Sequence, residues 1–114
     1  MEGYYRRIIA CARHHLDVKE VKIFVLKKTF CSLRLRLDEK VFIDVYHNAV
    51  TGRKDFFLIS NGMRVFGYDN LGGWHRHPVA NPESHEPCDE RLENDVFAEM
   101  KKIAETFMSL EKFQ

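Results

Sequence analysis

Apolar and polar residues alternate along the chain with two different periods. In the first helical turns Tyr5, Ile8, Ile9, Ala12 and Leu16 recur at three- and four-residue intervals, while Arg6, Arg7, Arg13 and His14 fall on the other side of the same wheel. That spacing predicts an amphipathic first helix with a basic outer face. From Val21 the chemistry becomes that of strands, over residues 21–26 and again over 30–37. Leu33, Leu35 and Leu37 alternate with Arg34 and Arg36, and Val41, Ile43 and Val45 alternate with Phe42, Asp44 and Tyr46. Successive side chains of a strand point to opposite faces, so this period of two predicts a sheet with one apolar face.

Asp38-Glu39-Lys40 and residues 48–53, which contain Thr51-Gly52, read as turns. Residues 56–60 read as a fourth strand. Asn61-Gly62 is the strongest local signal, because a type I′ hairpin needs positive φ at both central positions and this pair tolerates it. Residues 63–68 are its return strand. From Leu92 onward Val96, Met100, Ile103, Phe107 and Leu110 restore the helical period, with Asp89 or Asn94 as candidate caps. The expected fold class is α+β: a five-stranded antiparallel β-meander with an N-terminal and a C-terminal α-helix, residues 1–114 forming a single domain.

Composition narrows the classes. At 114 residues and 45% hydrophobic, the chain can bury one core without a disulfide framework or a structural metal. No stretch without a Lys, Arg, Asp or Glu is longer than the eight residues of 56–63, a length matched by 45–52, against about 20 apolar residues for a membrane-spanning helix. No membrane partner is expected. The first residues have charges with no apolar core behind them, unlike a secretory signal, and the expected location is cytoplasmic. Cys11, Cys31 and Cys88 have no C-x-x-C spacing and read as reduced thiols. Net charge is +1, yet residues 1–37 hold nine Lys/Arg against three acids, and residues 83–114 nine acids against four Lys/Arg. A basic third suits a polyanion and an acidic tail suits a basic partner, unless the two neutralise each other in the fold.

Two regions carry candidate chemistry. The face opposite Leu33, Leu35 and Ile43 should present Arg34, Arg36, Phe42, Asp44 and Tyr46, an interleaving of basic and aromatic groups that fits phosphate contact and base stacking on single-stranded RNA. A helix covering that face, with the arginines reaching its rim, is the structural alternative. The second region is the loop of residues 70–89, with three prolines, two glycines and three of the six histidines. Loops of this length are usually functional or disordered.

At the root of that loop Asp69 and Asn70 end a strand, Gly72-Gly73 lets the chain fold back, and His75 and His77 lie two apart, on one side if extended. Metal-independent RNA cleavage needs a base for the 2′-hydroxyl, an acid for the leaving 5′-oxygen and cations on the phosphate. His75 and His77 would divide the proton roles and Asp69 would orient one imidazole, which makes these three the candidate catalytic residues. Arg34, Arg36, Tyr46, Arg64, Tyr68, Asn70, Trp74 and Arg76 form the candidate substrate-binding set, with Arg64 or Arg76 neutralising the phosphate. No cofactor and no metal ligand is assigned. The competing metal reading takes His75, His77, His85 and Cys88 as a tetrahedral zinc site, although that spacing matches no standard zinc finger. In the plainest reading the loop histidines satisfy carbonyls, Trp74 plugs the core, His47 is a core-edge residue and His14 and His15 are surface residues.

The run Arg64-Val65-Phe66-Gly67-Tyr68-Asp69-Asn70, then closely spaced histidines, then an acidic helical C-terminus beginning near Glu90, resembles the TumE family of small toxins from toxin–antitoxin pairs. The likeness covers about the second half of the chain. In that family a strand ending in Asp-Asn precedes a His-rich loop, matching Asp69, Asn70, His75 and His77; here the loop is shorter, carries Gly72-Gly73-Trp74, and has His75-Arg76-His77 in place of a His-His-x-His cluster. The resemblance implies a toxin acting on RNA inside the cell, with a separately encoded DNA-binding antitoxin as partner. A noncatalytic binding module, docking a partner through its basic helix or acidic tail, is the alternative from another class. The sequence leaves monomer and homo-oligomer equally open.

Overall fold

The computed structural model describes residues 1–112, and side chains through residue 108. The order is α1 (Glu2–His15), β1 (Glu20–Leu26), β2 (Phe30–Asp38), β3 (Val41–Asn48), β4 (Lys54–Ser60), β5 (Met63–Asp69), β6 (His75–His77), β7 (Glu86–Pro87) and α2 (Glu93–Lys112). The strands form one sheet in chain order, every neighbouring pair antiparallel. The α+β class and the two terminal helices agree with the sequence pattern. The strand count does not: the sheet has seven strands rather than five. The two extra strands, three and two residues long, lie in the segment read as a loop. They are too short to display a period; β6 adds to the open edge of β5 and β7 to the edge of β6.

Alternation places the core. Leu33, Leu35, Val41, Ile43, Val45, Phe56, Leu58, Phe66 and Tyr68 point to one side of the sheet, where Ile8 and Ala12 of α1, Leu16 just after it, and Val96, Phe97, Met100 and Ala104 of α2 cover them. Both helices use the same side, so the opposite face carries no helix. Asn61 and Gly62 take φ of 52° and 77°, the two positive values that the tight β4–β5 turn requires. Neither Asp89 nor Asn94 caps α2: the Leu92 carbonyl accepts from the amides of Asp95 and Val96, and the Asn94 side chain meets His15 Nε2 at 2.6 Å. Leu110 lies outside the described side chains.

The basic and acidic ends of the chain are brought together, since α1 packs beside α2. Ion pairs from the sheet to α2, such as Lys54 of β4 with Glu93 at 2.6 Å and Arg76 of β6 with Glu99 at 3.1 Å, consume part of the acidic excess of α2. Among the described residues no helix is long and apolar enough to cross a membrane. Cys11, Cys31 and Cys88 are free thiols, and burial pushes each of them up from the ordinary thiol pKa.

Phe56 is fully buried and meets the Phe97 ring edge-on at 6.0 Å, joining β4 to α2. Phe56→Ala is expected to cost about 3–5 kcal/mol in a urea unfolding titration, the range for an aromatic deleted from a core. His47 sits at the core edge, its ring 4.1 Å from that of Tyr4, and burial followed by the Lys54 charge lowers its pKa. A histidine favoured neutral in the fold contributes stability that is present above its unfolded pKa, near 6.5, and is lost as pH falls below it. The decline of Tm between pH 7 and 5 should therefore be shallower in His47→Gln than in the natural protein.

Candidate functional site

The uncovered face of β3–β7 holds the polar cluster, and three backbone features place it there. The first is a bulge in β5. Leu58 pairs with Phe66 but Ile59 pairs with Arg64, which leaves Val65 as the extra residue. Strict alternation would put Arg64 on the same side as Phe66 and Tyr68. The bulge breaks the phase and sends Arg64 to the open face while Phe66 stays in the core. The second is the turn after β5, where Gly72 and Gly73 adopt φ of 71° and 119°. It returns β6 so that Asp69 pairs with His75 and Gly67 with His77.

The third feature is Gly67 itself. A Cβ there would lie 2.4 Å from Phe57 Cδ1 and 2.6 Å from the Phe56 carbonyl oxygen. Only glycine lets the Phe57 ring lie across this strand. The ring is 6% exposed although it faces away from both helices. It is covered by the Arg64 guanidinium, 4.0 Å from its centroid, and flanked by the His77 ring at 5.2 Å.

Asp69 and His77 are 8% and 5% exposed, and the Asp69 Oδ2 to His77 Nε2 distance is 2.5 Å. Their outer atoms are fixed by backbone. Asp69 Oδ1 accepts from the Leu71 amide at 3.1 Å, and His77 Nδ1 faces the Pro82 carbonyl at 3.0 Å. An accepting carbonyl places the hydrogen on Nδ1, so Nε2 meets the carboxylate as a lone pair unless a proton or another cation lies between them. The His85 ring closes the corner at 4.6 Å from that of His77, and one ligand-type atom from each of Asp69, His77 and His85 lies within 4.8 Å of the others.

This corner opens into a cavity of about 230 Å³ lined by Arg53, Asp55, Phe57, Arg64 and Leu71. A second cavity of about 350 Å³, which shares Arg53, Asp55, Phe57 and Arg64, continues across the face to Tyr46 and Ser32. The two form one groove over β2–β5. Arg53 is held by both carboxylate oxygens of Asp55, at 3.2 and 3.0 Å, and lies 5.4 Å from the Tyr46 ring centroid. Arg64 has no ion-pair partner among the described residues.

The residues singled out in the sequence separate into groups. Asp69, His75 and His77 share the open face, but His75 stands to the side of the corner, its Nδ1 buried without a partner and 4.0 Å from Asp69 Oδ1. Tyr68 and Arg76 face the helices instead: the Tyr68 hydroxyl donates to Glu99 at 2.5 Å, and Arg76 reaches the same carboxylate. Burial and that hydrogen bond raise the Tyr68 pKa. Trp74 packs against the core. Asn70 staples the turn, accepting from the Lys54 amide at 2.7 Å and donating to the Gly52 carbonyl at 2.9 Å. Arg34 is bound bidentately by Asp44, at 2.8 and 2.9 Å, and Arg36 lies 3.8 Å from Glu20. Cys88 is removed from the histidines, packed at the core margin with its amide on the Trp74 carbonyl.

Phe57, Arg53 and Asp55 carry no mark in the sequence beyond the phase of β4, which sets 55 and 57 opposite Phe56 and Leu58. That phase is hidden because Phe56, Phe57 and Leu58 read as one apolar run. Comparison of the chain with family models, with curated proteins and with solved structures gives no match. The site therefore rests on its own geometry.

Gly67→Ala tests that geometry. It is expected to destabilise the protein by about 1–3 kcal/mol, as overpacking does, and to shift the His77 ring protons in NMR spectra as Phe57 is displaced. An unchanged His77 environment would remove the Phe57 ring from the site.

Proposed function

We propose that the protein acts on single-stranded RNA along the open face of its sheet, as the toxin of a toxin–antitoxin pair. The observation that carries this reading is the groove itself: an Arg64 guanidinium free of carboxylates and stacked on Phe57, leading into the Asp69, His77 and His85 corner. A guanidinium resting on an aromatic ring suits a phosphate flanked by a base, because the ring holds the fork in place while its donors stay unspent. Tyr46, beyond Arg53 in the continuation of the groove, offers a second stacking surface. The phosphodiester would be cleaved where the groove meets the corner.

The resemblance of residues 64–70 and the following histidines to the TumE family supports the toxin part of the reading, and with it a DNA-binding antitoxin as partner. The phosphate contact falls to Arg64 rather than to Arg34, whose donors are committed to Asp44.

Incubation with single-stranded RNA, followed by gel analysis and by binding titrations at several salt concentrations, tests the reading. Arg64→Ala should weaken binding about tenfold and reduce the slope of log K against log[salt] by about 0.7, the loss of one phosphate contact on a single strand. His77→Ala should lower cleavage by about 10²-fold or more. Binding without cleavage would favour the noncatalytic module, and an Arg64→Ala variant that binds as the natural protein does would move RNA off this face.

A further inference from the structure

We propose that Asp69, His77 and His85 form a binding site for one divalent transition-metal ion, with zinc as the fitting example. One carboxylate and two imidazoles are a borderline donor set that suits zinc and its first-row neighbours over magnesium. Their ligand-type atoms already lie within 4.8 Å of one another. Zinc with donors at about 2.0–2.1 Å separates adjacent ligand atoms by about 3.3 Å in a tetrahedron. His85, on the exposed segment before β7, can close that distance without disturbing the core. Asp69 and His77 need to part by under 1 Å from their present contact to admit the ion.

The second shell argues for a metal more strongly than proximity does. A metal-bound histidine typically donates its other ring hydrogen to a carbonyl or carboxylate, which fixes the tautomer and aims the lone pair. His77 does this, with Nδ1 on the Pro82 carbonyl, so that Nε2 is directed at Asp69. Asp69 is held likewise, its Oδ1 taking the Leu71 amide and its Oδ2 turned to the corner. Asp69 Oδ2 and His77 Nε2 face each other at 2.5 Å in a pocket that is nearly closed to solvent, a contact that calls for a cation between them, a proton or a metal ion. Beside them His75 Nδ1 is buried and without a hydrogen-bond partner, 4.0 Å from the same carboxylate.

With three protein ligands a fourth position would remain for a ligand from the adjoining cavity, whose lining includes Leu71 and Arg64. This is the open coordination of a site that meets a substrate rather than the closed shell of a structural one. The metal site of this geometry excludes Cys88, which the His75, His77, His85 and Cys88 reading requires. The proposal stands on ligand geometry and does not depend on the RNA reading.

The test is titration of the chelator-treated full-length protein with zinc, followed by calorimetry and by Tm, with cobalt(II) absorption reporting nitrogen and oxygen coordination. One equivalent should bind with a Kd in the micromolar range or tighter and raise Tm, while magnesium at the same concentration should do neither. His85→Ala, a change at an exposed side chain, and Asp69→Asn should each weaken binding by about tenfold or more. Cys88→Ser and His14→Ala should bind as the natural protein does. Absence of zinc binding overturns the proposal, as does binding that survives His85→Ala or is lost in Cys88→Ser. Zinc binding without any action on RNA would uphold the site and overturn the proposed function.

Discussion

Alternate side chains of β2, β3 and β4, with Phe66 and Tyr68 of β5, are buried beneath α1 and α2, and the side chains between them must then face the opposite way. The meander has only two helices, both spent on one side. A continuous apolar layer from Ile8 and Ala12 through Leu33, Leu35 and Ile43 to Phe97 and Met100 supplies the burial that holds them there. The outward face is consequently left to polar and aromatic groups, among them Phe57, Arg64, Asp69 and His77. Had one terminal helix crossed to the other side, Arg64, Phe57 and the Asp69 corner would lie under it.

Within that constraint the site depends on departures from regular sheet geometry. The bulge at Val65 moves Arg64 across the sheet, glycine at position 67 makes room for Phe57, and the Gly72-Gly73 turn sets β6 in register with β5. Each departure gives up some regular pairing or backbone order. Together they bring a guanidinium, an aromatic ring and a carboxylate–imidazole pair to one groove. Strand β6 carries His75 and His77 into that register, His85 immediately precedes β7, and the pairing of β6 to β5 and of β7 to β6 gives the segment the rigidity that a free loop would lack.

Charge on the open face is balanced more closely than its arginine content suggests. Asp44 takes Arg34, Asp55 takes Arg53, and Glu20 lies near Arg36. These partly exposed pairs add little to stability, but they orient their members, whereas Arg64 in the groove has no ion-pair partner among the described residues. Asp69 is also nearly enclosed, and its partner is an imidazole rather than a guanidinium. That choice matters chemically, because the space between a histidine nitrogen and a carboxylate oxygen can be filled by a proton or by a metal, whereas a guanidinium always fills it with its own hydrogens and offers no lone pair to a metal.

The alternation at Leu33, Leu35 and Leu37 and at Val41, Ile43 and Val45, the helical stripes from Tyr5 and from Leu92, and the Asn61-Gly62 turn were sufficient to place two helices, five strands and the hairpin between β4 and β5. Those signals are local and periodic, so a single chain carries them. The sequence also marked Asp69, His75 and His77 as neighbours in a polar segment. It could not set Arg64 against Phe57, separate Arg76 and Tyr68 from the histidines, or exchange Cys88 for Asp69 beside His77 and His85. Those outcomes hang on a one-residue bulge and on the pairing of two- and three-residue strands, where no period exists to be read. There the choice of face is made by which long-range partner a backbone edge finds, and only the folded sheet supplies that partner.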